Sequence, residues 1–213
     1  MPEQDNSLYV QYGCGLSAPD GWLNFDASPT LRLQRLPFGL GAAAKRFVQP
    51  RFPENVRYGD VTSGLPLQDN CCKYVYCSHI LEHLALEDLR RALKETWRIL
   101  EPGGIFRLVL PDLESCVESY RQSNESDAAS RFMRETGLGK EVRAKGFGGF
   151  LRDWLGNSQH LWMWDEKALM HELDNAGFTH CRRAAFGDGD PVFESVEAED
   201  RWTGCLGMEC RKG

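Results

Sequence analysis

Residues 73–112 hold two continuous apolar runs on either side of an amphipathic stretch. In "KYVYCSHI", Tyr74, Val75, Tyr76 and Cys77 follow one another without polar alternation, and "GIFRLVLPD" is as apolar. Strands of this kind are covered on both faces. Between them, Leu86, Leu89, Leu93, Trp97 and Leu100 recur at steps of three and four, which predicts a helix with one apolar face. "EPGG" then sets Pro and Gly just past its end. Strands alternating with helices imply an α/β fold built on a parallel sheet.

The rest of the chain extends this pattern. "SLYVQYGCG" predicts a strand running into a Gly-rich turn, "GWLNFDAS" a strand ending at Asp26, and "NVRYGDV" a third ending near Asp60. Residues 30–53 carry Pro37, Pro50 and Pro53 and suit a helix with irregular flanks. "DEKALMHELDNAGF" predicts a helix with Asp165 as N-cap and Gly177 as its stop. "FTHCRRAAF" and "GCLGMECRK" are the final strands. A length of 213 residues suits one domain, 1–213, with a helical lid inserted at 113–160, where "KGFGGF" offers glycine hinges.

The formal net charge of −6 argues against a nucleic-acid backbone as main partner. Arg131, Arg134, Lys140, Arg143, Lys145 and Arg152 are expected to form a solvated face with one or two substrate contacts. No apolar run approaches the roughly 20 residues that span a bilayer, and "MPEQDNSLYV" lacks the apolar middle of a signal peptide. A cytoplasmic protein with no membrane partner is expected. The eight cysteines form no C-x-x-C pair and are expected to be reduced.

In parallel α/β sheets, ligands bind beyond the carboxyl ends of the strands. That rule selects Gly13 to Gly15, Asp26, Asp60, Ser78 with His79, and Pro111 with Asp112. Glycines at 13 and 15 let the backbone bend and approach a ligand closely. A carboxylate at Asp26 can accept both hydroxyls of a ribose, and one at Asp60 can accept an adenine amine. Either Asp can instead cap its own turn.

The stretches "YVQYGCG", "GWLNFD", "GDVTSGLPLQDN", "YVYCSHILEHL", "LRRALKETWRILEPGGIFRLVLPDL" and "DEKALMHELDNAGF" occur in this order. In that order the chain resembles the class I S-adenosylmethionine-dependent methyltransferases, most closely a small bacterial predicted-methyltransferase branch. The resemblance implies a Rossmann-like, mostly parallel seven-stranded sheet with helices on both faces and an antiparallel last strand. It implies S-adenosyl-L-methionine as cofactor. Gly13, Cys14 and Gly15 would face its methionine part, Asp26 and Ala27 the ribose, Asp60 and Val61 the adenine, and Ser78 and His79 the sulfonium. Two departures stand out. Ala18 replaces the third glycine of G-x-G-x-x-G, and Gly15 to Trp22 leaves room for one short turn rather than the usual helix.

His79, Glu82 and His83 spell H-x-x-E-H, a zinc-protease pattern. Because His79 directly follows a buried strand, the two histidines are not expected to share a helical turn. The stretch is read as a pocket wall with no metal, and Glu82 and His83 as packing the next helix. The leading function is methyl transfer to a small-molecule or sugar-like acceptor. The alternatives are a catalytically silent cofactor or nucleotide binder and a zinc hydrolase. His79, with an ordinary pKa of about 6.5, is the first candidate for a general base, followed by Asp112 and His160. Trp154, Trp162 and Trp164 are candidates for acceptor contact or for core.

Overall fold

The structure, a computed structural model, describes residues 8–36, 49–142 and 159–213. The strands are β1 (Leu8–Tyr12), β2 (Leu23–Asp26), β3 (Val56–Tyr58), β4 (Cys72–Ser78), β5 (Leu100–Pro111), β6 (Phe178–Ala184) and β7 (Cys205–Lys212). Among the described residues the helices are α1 (Pro29–Gln34), α2 (Leu86–Ile99), α3 (Leu113–Gln122), α4 (Ala128–Glu135) and α5 (Glu166–Asn175). The seven strands form one sheet in the order β3-β2-β1-β4-β5-β7-β6. β1 to β5 pair in parallel, and β7 runs antiparallel to both neighbours.

Successive side chains of a strand point to opposite faces, and each face here has its own core. Val75 and Cys77 of β4 and Phe106 and Leu108 of β5 pack with Leu89, Ala92 and Leu93 of α2 and Leu169 and Leu173 of α5. On the other face Tyr74, Tyr76, Ile105 and Val109 pack with Trp22, Phe193, Val196 and Trp202. Phe193, Val196 and Trp202 belong to the connection between β6 and β7, so that connection covers the second face.

α2 ends at Ile99, and Leu100 already pairs with Cys72 as the first residue of β5 rather than completing the helical stripe. Pro102 cannot donate to Arg98 and disfavours helical backbone at Glu101, which stops the helix there. "EPGG" then forms a bulge: Cys72 and Tyr74 face Leu100 and Ile105 across the ladder. Lys212 Nζ donates to the carbonyls of Trp97 and Leu100 and so caps the end of α2.

The connection from β1 to β2, residues 13–22, contains no helix. Two buried amides inside the strands hold it. Gln11 Nε2 donates to the Ser17 carbonyl and to Asn24 Oδ1, and Asn24 Nδ2 donates to the carbonyls of Pro19 and Trp22. These amides satisfy carbonyls that a helix would have satisfied internally.

α3 and α4 lie in the expected insertion and touch through Tyr120 and Phe132, whose ring centroids are 5.7 Å apart. Arg131 pairs with Glu135, and Arg134 pairs with Glu141. Arg143, Lys145, "KGFGGF", Arg152 and Trp154 lie outside the described residues. No helix among the described residues is long and apolar enough to cross a membrane.

Candidate active site

The strand order reverses direction between β1 and β4, the place where α/β sheets open a crevice. Tyr12 faces both Phe25 and Cys77 across the ladder, and Asp26 faces Tyr58. The segments after β3, β2, β1 and β4 therefore begin side by side. At about 4.8 Å per strand they span about 14 Å, enough for a nucleoside with an amino-acid arm.

Gly13 (φ +65°) and Gly15 (φ +55°) both take the left-handed backbone that glycine permits. A Cβ at Gly13 would lie 2.1 Å from the Ile80 side chain, whereas one at Gly15 would meet open space. The first glycine thus lets the loop after β4 close against the β1 turn, and the second leaves room above it. Cys14 beside them donates its backbone N–H to Phe25. Burial, with the Asp26 carboxylate nearby, pushes its thiol up to about 12.

Asp26 is buried at the tip of β2. Its Oδ2 accepts the Gly15 N–H at 3.0 Å and its Oδ1 the Ser28 N–H at 2.7 Å. The carboxylate therefore faces the glycine turn and keeps lone pairs for further donors. Ala27 beside it is exposed. Asp60 folds over its own turn: Oδ1 accepts from the backbone and hydroxyl of Thr62, at 2.9 and 2.7 Å, and Oδ2 from Ser63 Oγ at 3.2 Å. Val61 is buried in the core beneath.

The β4 exit is covered by the connection that precedes β7. Arg201 Nε donates to Ser78 Oγ at 2.9 Å. His79 has φ +54°, unusual for a residue with a side chain. Its Nε2 lies 2.9 Å from the Arg201 carbonyl, and its Nδ1 lies 3.3 Å from Glu82 Oε1. Burial alone would lower the pKa of this imidazole. The approaches of Cys205, Glu82 and the Arg201 carbonyl outweigh it and raise the pKa to about 10.

Leu81–His83 form a single 3₁₀ turn ahead of α2, so His79 and His83 share no helical turn. Glu82 does more than pack the next helix. Its side chain is buried toward the turn and its carbonyl accepts the backbone N–H groups of Leu161 and Trp162. Asp112 is the N-cap of α3, accepting from Glu114 N, and pairs with Arg183 at 2.7 Å. His160 Nδ1 lies 2.8 Å from the Thr136 carbonyl. All three candidates for a general base therefore have fixed partners. Trp164 is core, and Trp162 is exposed.

Sequence reasoning missed Arg201. It lies in a connection with no periodic pattern and reaches the site only because β6 and β7 return to β5.

Residues 10–108 match a family model described as a methyltransferase domain. Among solved structures, an S-adenosylmethionine-dependent methyltransferase from Thermotoga maritima, described as a possible histamine N-methyltransferase, is similar with a TM-score of 0.54 and 17% identity. The match covers 100% of this chain and 84% of that one. An S-adenosylmethionine-dependent methyltransferase from Archaeoglobus fulgidus gives 0.51 at 15% identity, covering 97% and 86%. These likenesses show the fold. Comparison with curated proteins gave no match.

Proposed function

We propose that the chain is a class I S-adenosylmethionine-dependent methyltransferase, a reading that the methyltransferase-domain match over residues 10–108 supports, and that its methyl acceptor is a small molecule, sugar-like in kind, held beside Ser78 and His79. One observation carries this reading. The acceptor side of the β4 exit is roofed by the chain itself, by Arg201 over Ser78 and by Leu161 and Trp162 on the Glu82 carbonyl. A strand exit covered by the chain's own segments suits a compact acceptor better than a polymer, and the net charge of −6 disfavours a nucleic acid.

When bound, S-adenosylmethionine supplies a methyl group activated by positive sulfur. The residues at the strand tips fit it. Asp26 offers lone pairs for the ribose hydroxyls, Asp60 and Val61 flank the adenine position, and the turn of Gly13, Cys14 and Gly15, with open space above Gly15, faces the amino-acid arm. The chain contributes chiefly alignment, which can lower a barrier by about 7–11 kcal/mol. His79, Asp112 and His160 then act as positioning groups, since each is engaged with another residue. Residues 113–160 would cover the acceptor and exclude water.

The test is turnover with methyl-labelled cofactor against a panel of hydroxylated metabolites, free sugars, bulk RNA and protein. Label in the small-molecule fraction is expected. Label confined to RNA or protein would overturn the acceptor assignment.

A further inference from the structure

Glu82 is fully buried, and neither carboxylate oxygen accepts a hydrogen bond among the described residues. Three imidazoles surround it instead. His83 Nε2 and His160 Nε2 each lie 4.0 Å from Oε1, and His79 Nδ1 lies 3.3 Å from it without hydrogen-bond geometry. The rings of His83 and His160 meet edge to face, with centroids 4.8 Å apart.

The outer nitrogens explain the orientation. His83 Nδ1 is 3.1 Å from the Gln159 carbonyl, and His160 Nδ1 is 2.8 Å from the Thr136 carbonyl. A carbonyl only accepts, so each Nδ1 carries the proton. In the neutral ring this leaves each Nε2 with a lone pair turned toward the carboxylate. Two imidazole lone pairs thus converge on one carboxylate with no proton between them and it. The His79 ring, 3.3 Å from Oε1, faces the carboxylate but gives neither lone pair a partner, so both Nε2 atoms are left to a further acceptor of electron pairs.

We propose that Glu82, His83 and His160 bind a divalent transition-metal ion of the zinc type, through one carboxylate oxygen and two Nε2 atoms. One donor atom from each residue lies within 4.8 Å of the others. Bonds of about 2.1 Å in a tetrahedral site set donors about 3.4 Å apart, so small side-chain rotations close the site. Two imidazoles with one carboxylate favour zinc or a neighbouring metal over magnesium or calcium. The carbonyls on both Nδ1 atoms are the outer partners that orient metal-binding histidines, and His79 plays that part for the carboxylate. Three protein donors leave a fourth position for water or an acceptor atom. The site goes beyond the methyl-transfer reading, since it depends on neither cofactor nor acceptor. It would join the β4 exit, the end of α4 and the segment starting at Gln159. The H-x-x-E-H stretch supplies two of its donors, but its first histidine is not one of them.

The test uses the full chain, stripped with a chelator and titrated with zinc chloride by calorimetry, with bound metal counted by mass spectrometry. The wild-type chain is expected to take up one zinc and to melt at a higher temperature with it. His83→Ala, His160→Ala and Glu82→Gln should each weaken binding more than about a hundredfold, beyond the loss of an outer partner, while His79→Ala should cost about ten- to a hundredfold. Glu82→Gln keeps the shape of the side chain, so it still reports if a histidine variant fails to fold. Cobalt substitution should give visible d–d absorption without a thiolate charge-transfer band. No zinc uptake by the wild-type chain overturns the proposal. So does equal uptake by the wild type and the Glu82→Gln variant, which would assign the metal to cysteines.

Discussion

Asp26→Asn isolates the carboxylate assigned to the ribose while keeping its size. In the wild type each oxygen takes one backbone N–H, from Gly15 and from Ser28. A carboxylate has about four acceptor sites, so about two remain for ribose hydroxyls. The amide keeps one oxygen. If that oxygen serves Ser28, the amide nitrogen turns toward the Gly15 N–H, donor against donor, and the glycine turn must shift. Hydrogen bonds to charged groups are worth about 1.5–3 kcal/mol, and each 1.4 kcal/mol is about tenfold in affinity. The variant should therefore bind S-adenosylhomocysteine about 10- to 150-fold more weakly by calorimetry. Water can reach the half-buried Gly15 N–H, so a stability loss of about 1 kcal/mol is expected, or about 2–4 °C in melting temperature for a chain of this size. A variant that binds within threefold of the wild type would refute the ribose assignment. A much larger melting shift would show that the loss came from folding instead.

Gly13→Ala should lower stability by at least about 1–2 kcal/mol for its left-handed backbone, plus the clash with Ile80. In a denaturant series, adding Ile80→Ala should recover only the clash. Arg107 is fully buried and bonded to Glu197, Asp188, Glu209 and the Ala185 carbonyl. Arg107→Met should cost about 3–5 kcal/mol in urea unfolding, because the buried Glu197 side chain loses its counter-charge. Burial raises the Asp188 pKa, but the Arg182 and Arg107 guanidiniums outweigh it and hold the carboxyl down to about 2. A folded pKa below the unfolded value of about 3.9 adds stability above that pH, which is lost as pH falls toward 2. The melting deficit of Asp188→Asn at pH 7 should therefore fade over that window. Asp112→Asn keeps the cap, since Asn serves there as well as Asp, and loses only the charge pairing with Arg183; it should melt close to the wild type and keep kcat within tenfold, and a collapse of kcat in a folded variant would restore it as a base.

The β4–α2–β5 run was legible because unbroken apolar strands and a three-four leucine spacing are local patterns. The short β1–β2 connection was legible too, since too few residues separate Gly15 from Trp22 for a helix. The buried Gln11 and Asn24 that hold it are visible in "YVQYG" and "LNFD", but their partners are loop carbonyls with no sequence code. Leu100 matched the helical step and still left the helix, since Pro102 overruled the spacing. At the candidate site, the strand-end rule selects Gly13, Asp26 and Ser78, which the fold brings to neighbouring strand tips. It did not find Arg201 over Ser78 or His160 beside Glu82. Those meetings depend on how distant segments return to the sheet, and no local period encodes them.

Because no helix follows β1, Trp22 fills that sheet face and donates its Nε1–H to Ser195 Oγ, with Phe193 beside it at 6.0 Å between ring centroids. Among the described residues, this surface of β1, β4 and β5 is otherwise uncovered, so during synthesis it waits for the β6–β7 connection to leave the ribosome. The early half of the chain then has one lined side and one open side, and should remain protease-sensitive and chaperone-dependent until its last fifth arrives.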